Sequence, residues 1–254
     1  MDSVLTLVIN LERSKDRLRR IGAALDLQGI GWERLAAVDG RALDQATVDS
    51  SLDVERYCRQ HGMTPLPGEL GCYLSHLEAF KRLMDSPFQF GLILEDDVMP
   101  QPALAEIVRT LTGMPERWDM VKLSAVHSGT PIPTQPLGGP HHLAVMLSRC
   151  TGSSAYLVNR RAAKAYLAGL LPMSLPYDHE FDKGWKYGLK IRRVVPEVAL
   201  HDMGAASTIS QAATTPSRKF RWHKRLAAHR YRLGNELRRL SHGLMQVCKE
   251  KLRI

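Results

Sequence analysis

Glu95, Asp96 and Asp97 form an unbroken run of three carboxylates directly after the apolar segment Phe88 to Leu94. Adjacent carboxylates repel one another, so the run costs stability unless cations or hydrogen bonds offset it. Side chains alternate along an extended chain, which sends Glu95 and Asp97 to one side and Asp96 to the other. Two hard oxygen donors on one side make a DxD-type arrangement, suited to Mg²⁺ or Mn²⁺ bridging a diphosphate. The competing reading is a solvated acidic turn. The buried-looking strand before the run and Pro100 after it favour the functional edge of a sheet. A second acidic stretch, Tyr177-Asp178-His179-Glu180-Phe181-Asp182, offers proton acceptors, or solvated charges if it is a surface helix. Cys72 beside Ser75 and His76 raises a thiol or serine hydrolase. Neither nucleophile sits in a GxSxG-type elbow, and a Cys-His pair four residues apart on a helix arises easily by chance.

These groups need elements to position them. Val4 to Asn10 is apolar and β-branched, and Leu18, Ile21 and Leu25 then recur at helical spacing. Gly29 and Gly31 break the helix, and Trp32 to Val38 reads as a second strand ending at the turn pair Asp39-Gly40. Such a βαβ unit favours a parallel sheet with a ligand crevice at the strands' carboxyl ends. Arg13 and Arg17 fall on the loop and first helical turn beyond the first strand. From there guanidinium groups can reach phosphates or a base, a salt-bridged helix face being the alternative.

Gln45 to Met63 has weak periodicity and reads as an irregular insertion ended by Pro65-Leu66-Pro67-Gly68. Leu70, Tyr73, Leu74, Leu77 and Phe80 then form the stripe of a helix running from about Glu69 to Leu83. Phe88 to Leu94 suits a buried central strand, Pro100 and Pro102 start a helix through Leu111, and Met120 to Leu123 is a further strand. His127 to His142, with four Pro and three Gly, reads as a long loop of the kind used as lids or binding loops, which donor binding would order. A strand at Ser154 to Val158, a helix from Arg160 to Leu170 and a strand at Ile191 to Val195 complete a single α/β domain.

Four blocks, in this order and separation, resemble glycosyltransferase family 25, which includes bacterial lipooligosaccharide galactosyl- and glucosyltransferases. They are Val8-Ile9-Asn10-Leu11-Glu12-Arg13 with Arg17, Gly68 to His76, Leu92-Ile93-Leu94-Glu95-Asp96-Asp97, and Thr151 to Leu157. Weaker echoes lie at Asp39-Gly40, Pro176 to Asp178 and Ser207-Thr208-Ile209, so the resemblance spans residues 4 to about 210. It implies a GT-A-like (Rossmann-like) mixed sheet flanked by helices, a UDP-hexose donor, a divalent metal and transfer with inversion. Inversion needs one carboxylate to take the acceptor proton and a cation to neutralise the departing diphosphate. Asp178 is the preferred base, with Glu180 and Asp182 as rivals. Glu95 and Asp97 suit the metal, Asp97 is a catalytic candidate as well, and His201, followed by Asp202, is a further metal-ligand candidate. Donor contacts are expected from Asn10, Arg13, Arg17, Asp39, Asp96 and the Gly68 block. In that block Gly71 permits close backbone approach, while Glu69, Ser75 and His76 can bond sugar or ribose hydroxyls.

The composition fits an enzyme of ordinary size, with 44% apolar and 24% charged residues in a 254-residue chain. Four scattered cysteines, without zinc-finger spacing, suggest a reducing compartment. The acid at position 2 and the short apolar run after it do not make a signal peptide. No stretch approaches the roughly 20 apolar residues of a membrane span. The expectation is therefore a cytoplasmic protein.

The net charge of +9 resides at the end of the chain, where residues 217–254 hold 12 Lys or Arg against two Glu. Residues 1–216 are expected to form the catalytic domain and residues 217–254 a basic amphipathic helix. Leu226, Leu233, Leu237, Leu240, Leu244 and Val247 recur at helical spacing, with Trp222 near the start. That stripe can lie on the anionic inner face of the inner membrane, where a lipid-linked oligosaccharide acceptor would be found, or dock on the enzyme's own body. Nucleic acid is the non-enzymatic alternative and is not expected: the tail has few stacking aromatics and no recognisable module. The remaining rivals are a phosphoryl or nucleotidyl transferase using the same carboxylates, and a UDP-sugar-binding member without turnover.

Overall fold

The computed structural model describes residues 3–127, 129–201 and 219–252. Strand β1 (Val4–Asn10) is buried along its whole length. Its Leu5, Leu7 and Ile9 enter one apolar layer, while Val4 and Val8 enter another on the opposite face. A strand covered on both faces has to read as a near-continuous apolar run, and VLTLVIN does. Helix α1 (Lys15–Asp26) leads to β2 (Glu33–Ala36), parallel to β1, which completes the expected βαβ unit.

Residues 45–61 correct the expectation of an irregular insertion, for they form α2 (Gln45–Ser51) and α3 (Val54–His61). Asp44 and Asp53 cap them, their carboxylates accepting from the amides of Thr47 and Arg56. Capping by acids, rather than a long apolar stripe, starts these short helices. Helix α4 (Pro67–Asp85) begins with Pro at its first position. Glu69 accepts from the Leu66 amide at 2.8 Å, a bond that Leu66's own side chain could not supply from the other direction.

Strand β3 (Phe90–Glu95) follows and lies parallel to β1 on the side away from β2. The chain continues through β4 (Val98–Pro100), α5 (Leu104–Thr112), β5 (Met120–Lys122), β6 (Pro131–Gly138), β7 (His141–Met146), β8 (Ala155–Asn159) and α6 (Arg160–Gly169). Short helices α7 (Tyr177–Glu180) and α8 (Gly184–Tyr187), strands β9 (Ile191–Val195) and β10 (Ala199–His201), and the long α9 (Leu226–Lys251) complete it. Among the described residues, eight strands make one sheet in the order β2-β1-β3-β8-β5-β9-β7-β6, while β10 and β4 form a separate pair. The sheet is mixed, since β8 runs antiparallel to both β3 and β5. Helices α1 and α5 cover one face; α3, α4 and α6 cover the other. Arg160, at the start of α6, donates to the carbonyls of Leu83, Met84, Ser86 and Phe88. It thereby ties the end of α4 to the entry of β3.

The long loop expected over 127–142 is also corrected: most of it is the β6–β7 hairpin at the sheet's edge. Pro131, Pro133 and Pro136 signal a loop in the sequence. An edge strand accommodates them, because one side of its backbone needs no partner, and the register shifts between Pro133 and Gln135 and between Pro136 and Gly138. The segment is thus a built edge of the sheet and not a long loop.

The start of α4 and the turn after β2 approach closely at two glycines. A Cβ on Gly71 would lie 2.5 Å from the Val38 carbonyl oxygen, and one on Gly40 would lie 1.8 Å from that of Pro67. Both obstacles are backbone and cannot rotate away. Gly71→Ala is expected to destabilise by about 2–3 kcal/mol. At roughly 2–4 °C per kcal/mol, the melting temperature in a fluorescence thermal scan falls by about 5–10 °C.

Helix α9 docks on the body with the face opposite to its leucines. Ala228, Asn235, Arg239 and Gly243 are buried, and Arg239 pairs with the buried Asp182. Arg192 of β9, itself buried, pairs with Glu250. Arg232 donates to the His61 carbonyl of α3 at 2.7 Å. Leu226, Leu233, Leu237, Leu240 and Leu244 remain 42–63% exposed, so docking of the leucine stripe on the body is excluded for this helix. The expected domain boundary at residues 216 and 217, Asp202 and the Ser207-Thr208-Ile209 segment lie outside the described residues.

Candidate active site

A cavity of about 460 Å³ opens where β1, β2 and β3 end and β8 begins. The sheet puts it there: parallel β1 and β3 deliver their last residues to one edge, and antiparallel β8 brings Ser153 and Ser154 to that edge from the other direction. Arg13, Arg17, Asp39, Glu69, Ser75, His76, all three of Glu95 to Asp97, Asp178 and His201 line it. Residues separated by nearly 190 positions thus share one wall.

The chain leaves extended geometry after Glu95, and the three carboxylates take different roles. Asp96 turns toward β1, accepting from the Asn10 carboxamide at 2.6 Å and from Arg17 at 3.1 Å. Burial raises its pKa, opposed by those two donors. Asn10 is itself held, donating to the Ser14 carbonyl at 2.9 Å and accepting from Arg34 at 3.1 Å. It does not line the cavity, so its part is to hold Asp96. Glu95 turns the other way, accepting from His76 Nε2 at 3.3 Å and from the Ser153 hydroxyl at 3.2 Å. Burial alone would raise its pKa, but His76, His201 and Ser153 together bring it below the usual value. Asp97 has no such support. Burial first, then the charges of Glu95 and Asp96, push its pKa up to about 7. Its Oδ1 is buried without a hydrogen-bond partner among the described residues.

Other expected residues divide between cavity and scaffold. Arg13 pairs with Asp39 across the cavity mouth and, together with the Arg41 amide, lowers the Asp39 pKa. Ser75 accepts from the Val38 amide at 2.8 Å and donates to the Gly71 carbonyl at 2.7 Å, so it staples α4 to the turn after β2. Glu69 accepts from Tyr57 at 2.9 Å as well as from Leu66. The close approach at Gly71 is to this turn of the chain itself, which corrects its expected place against the donor.

His76 is fully buried, with Nδ1 2.9 Å from the Tyr156 hydroxyl and its ring stacked on Tyr177 at 4.1 Å. His201 reaches the Ser154 hydroxyl at 3.3 Å. Glu95, Asp97 and His201 all face the cavity. The set whose ligand atoms converge within 4.8 Å of one another, among the described residues, is instead Cys72, His76 and Glu95.

The second acidic stretch is split by the turn of α7. Asp178 lines the cavity and accepts from the Gly152 amide at 3.2 Å. Glu180 points the other way, which corrects its place as a rival base. It is buried and bound by Lys183, Lys186 and, at 2.9 Å, the Tyr187 hydroxyl. Burial would raise its pKa, but the two lysines lower it. Asp182 is likewise committed to Arg239. Ser153 and Arg41 were not singled out from the sequence, although Ser153 lies in the small-residue run before β8. Cys72 lines the cavity, but burial and then the nearby Glu95, Asp178 and Asp97 raise its pKa well above the usual thiol range. With no cation beside it the thiol stays protonated, contrary to a nucleophile's need.

Residues 4–128 match the profile of glycosyltransferase family 25 (LPS biosynthesis protein). Among curated proteins, procollagen galactosyltransferase 1 of Danio rerio is 28% identical over 180 residues, 67% of this chain and 30% of that protein. Procollagen galactosyltransferase 2 of Homo sapiens is 38% identical over 95 residues, 36% of this chain and 15% of that protein. The chain thus spans less than a third of the length of these relatives. Of solved structures, S. aureus TarS 1-349 in complex with UDP-GlcNAc overlaps loosely, at a TM-score of 0.48 and 13% identity over 98% of this chain and 71% of that one. The matched segment carries Asn10, Arg13, Arg17, Asp39, His76 and the three acids of the cavity, and through it the chain belongs to glycosyltransferase family 25.

Proposed function

We propose that this chain transfers a hexose, with galactose foremost, from UDP-hexose to a lipopolysaccharide or lipooligosaccharide core, with inversion and with a divalent metal. The observation that carries the reading is the cavity at the strands' carboxyl ends. There a buried carboxyl oxygen without a hydrogen-bond partner among the described residues, Asp97 Oδ1, follows Glu95 in a wall that Arg13, Arg17 and Arg41 also line. Galactose is favoured by the names of the relatives, and the lipopolysaccharide acceptor by the family's description.

Three hard carboxylates, one of them pushed up to about 7 by burial and then by its neighbours' charges, fit a divalent cation. Glu95 and Asp97 would hold it. When bound, Mn²⁺ or Mg²⁺ supplies positive charge that offsets the charge developing on the departing UDP. The chain's own residues do the rest. Asp96, fixed by Asn10 and Arg17, anchors the turn that presents Asp97. Arg13 and Arg17 line the wall where phosphates can be received. The acceptor hydroxyl attacks the anomeric carbon opposite the leaving diphosphate. As the new carbon–oxygen bond forms and the bond to UDP breaks, Asp178 takes the hydroxyl proton.

Calorimetric titration of UDP-galactose and UDP-glucose, with and without Mn²⁺, tests the donor site. Metal-dependent binding that disappears in the Glu95→Ala, Asp97→Ala double variant is expected. Absence of binding for either sugar nucleotide removes the proposal and returns phosphoryl transfer to the front.

The acceptor's location is supported by α9. No helix among the described residues is long and apolar enough to cross a membrane. The exposed face of α9 joins its leucines to Arg230, Arg238, Lys249 and Lys251, with Glu236, whose carboxylate faces Arg239 at 3.7 Å, the one partly exposed acid beside them among the described residues. Predominantly positive charge around an apolar stripe suits an anionic lipid surface and disfavours a second copy of the same helix. Sedimentation with phosphatidylglycerol vesicles at physiological salt is expected, at least about tenfold stronger than with Leu237→Asp, Leu240→Asp protein. Equal binding by the two, or dimerisation without lipid binding, counts against this attachment.

A further inference from the structure

Cys72 and His76 lie one turn apart on α4, and Glu95 ends the strand on which α4 packs. Their ligand atoms are all within 4.8 Å of one another, and each side chain lines the cavity. The chemistry of this set differs from that of Glu95 with Asp97. A thiolate, an imidazole and one carboxylate select zinc-class ions, whereas carboxylates alone suit Mn²⁺ or Mg²⁺. We propose that Cys72, His76 and Glu95 form a separate site for a zinc-class cation in the cavity wall, and that its occupation withdraws Glu95 from the donor's metal.

Three features of the surroundings favour ligation. The His76 ring is fixed on both faces of the question: it stacks on Tyr177, and its Nδ1 meets the Tyr156 hydroxyl at 2.9 Å. A metal ion replaces the proton that Nε2 shares with Glu95, 3.3 Å away: with the ring proton moved to Nδ1 and donated to Tyr156, the Nε2 lone pair is free for the ion. The Tyr156 hydroxyl can pass its own proton into a bond with Tyr177, 3.1 Å distant, so the tautomer that binds metal leaves no hydroxyl unpaired. Support of the second ring nitrogen is the usual companion of a metal-bound histidine. Ser153 steadies the Glu95 oxygen at 3.2 Å. Zinc bonds of about 2.0–2.3 Å place tetrahedral ligands roughly 3.3–3.8 Å apart, so a side-chain adjustment of about 1 Å closes the site. The open cavity supplies room for water as the fourth ligand. Binding displaces the Cys72 thiol proton to solvent, so uptake strengthens as pH rises.

The site itself stands independently of the transfer reaction; only the withdrawal of Glu95 rests on that reading. Co²⁺, a spectroscopic substitute for Zn²⁺, tests the two separately in the full chain. Cys248→Ser serves as the background, because Cys248 is the exposed thiol. One equivalent of Co²⁺ is expected to produce a thiolate-to-cobalt charge-transfer band, to release a proton and to be displaced by Zn²⁺. The band is expected to vanish with Cys72→Ser and to need at least about tenfold more Co²⁺ with His76→Gln.

Should either variant melt below the working temperature, Zn²⁺ protection of Cys72 against alkylation, read by mass spectrometry in the parent protein, replaces it. A band that survives Cys72→Ser, or no band and no protection, overturns the site. In the transfer assay at fixed Mn²⁺, Zn²⁺ is expected to inhibit competitively with Mn²⁺, at a concentration raised about tenfold by Cys72→Ser. A band with no inhibition keeps the site and overturns the withdrawal of Glu95.

Discussion

Exchanging Asp178 for Asn is expected to lower hexose transfer by about 10²–10⁴-fold, the range contributed by a positioned general base. Calorimetric binding of UDP-hexose and Mn²⁺ is expected to stay near that of the parent protein. The asymmetry follows from position. Asp178 enters the cavity from the start of α7, a different element from β3 and the turn after it that carry Glu95 to Asp97. Its accepted bond from the Gly152 amide is one that the Asn carbonyl oxygen can keep. The substitution therefore removes the proton acceptor while leaving the local fold in place. Loss of donor binding in parallel with turnover would make Asp178 a donor contact instead, and transfer within a few-fold of the parent would remove it from the mechanism.

A second substitution, Asp97→Asn, is expected to weaken metal binding while strengthening the metal-free fold. Burial, then the charges of Glu95 and Asp96, push the Asp97 carboxyl up to about 7 from an ordinary value of 3.8. The folded state therefore holds this proton more tightly than the unfolded chain does. The stabilisation that goes with the proton is full below about pH 4, declines as pH rises through about 7, and is absent above it. Asn has no proton to lose, so the variant's melting temperature should rise relative to the parent between pH 4 and pH 7 and keep a constant lead above. About three pH units at about 1.4 kcal/mol each set a ceiling near 4 kcal/mol. Half of that, at roughly 2–4 °C per kcal/mol, is a lead of about 4–8 °C at pH 8. Saturating Mn²⁺ should erase the lead by stabilising only the parent. Metal-dependent donor binding should fall by more than the roughly 10–100-fold that loss of a merely supporting group costs. A lead that is flat with pH would show that the Asp97 carboxyl is not the strained group.

The strand-helix-strand start and the strand ending in three acids are legible from the sequence because burial on both faces demands long apolar runs. Val4 to Asn10 and Phe90 to Leu94 can belong to little else. The β6–β7 hairpin is hidden because Pro131, Pro133 and Pro136 remove amide donors, and only the completed sheet shows that those amides would have faced its open edge. Helices α2 and α3 are hidden because short helices draw on their caps, Asp44 and Asp53, more than on periodicity.

The acids at 178, 180 and 182 look equivalent in one dimension. They part because Lys183, Lys186 and Tyr187 gather around Glu180, while Arg239, 57 residues beyond Asp182, claims that carboxylate. The lysines are local and can be read from the sequence; the arginine cannot. The same long-range pairing explains why hydrophobic periodicity picks out the face of α9 that the body leaves uncovered. The receiving surface carries buried charge, at Asp182 and Arg192, and selects a charged face.

That mode of attachment bears on how the last helix can be studied. Arg239 with Asp182 and Glu250 with Arg192 are withdrawn from solvent, and a buried ion that loses its partner destabilises by about 3–5 kcal/mol. Cutting the chain before α9 would leave an aspartate and an arginine stranded inside the remainder, the aspartate four residues from Asp178. Such a truncated protein would lose solubility and turnover together, and a pelleted, inactive product would mimic a failure of localisation. Point changes on the outward leucines separate where the enzyme goes from whether it folds; removal of the helix does not.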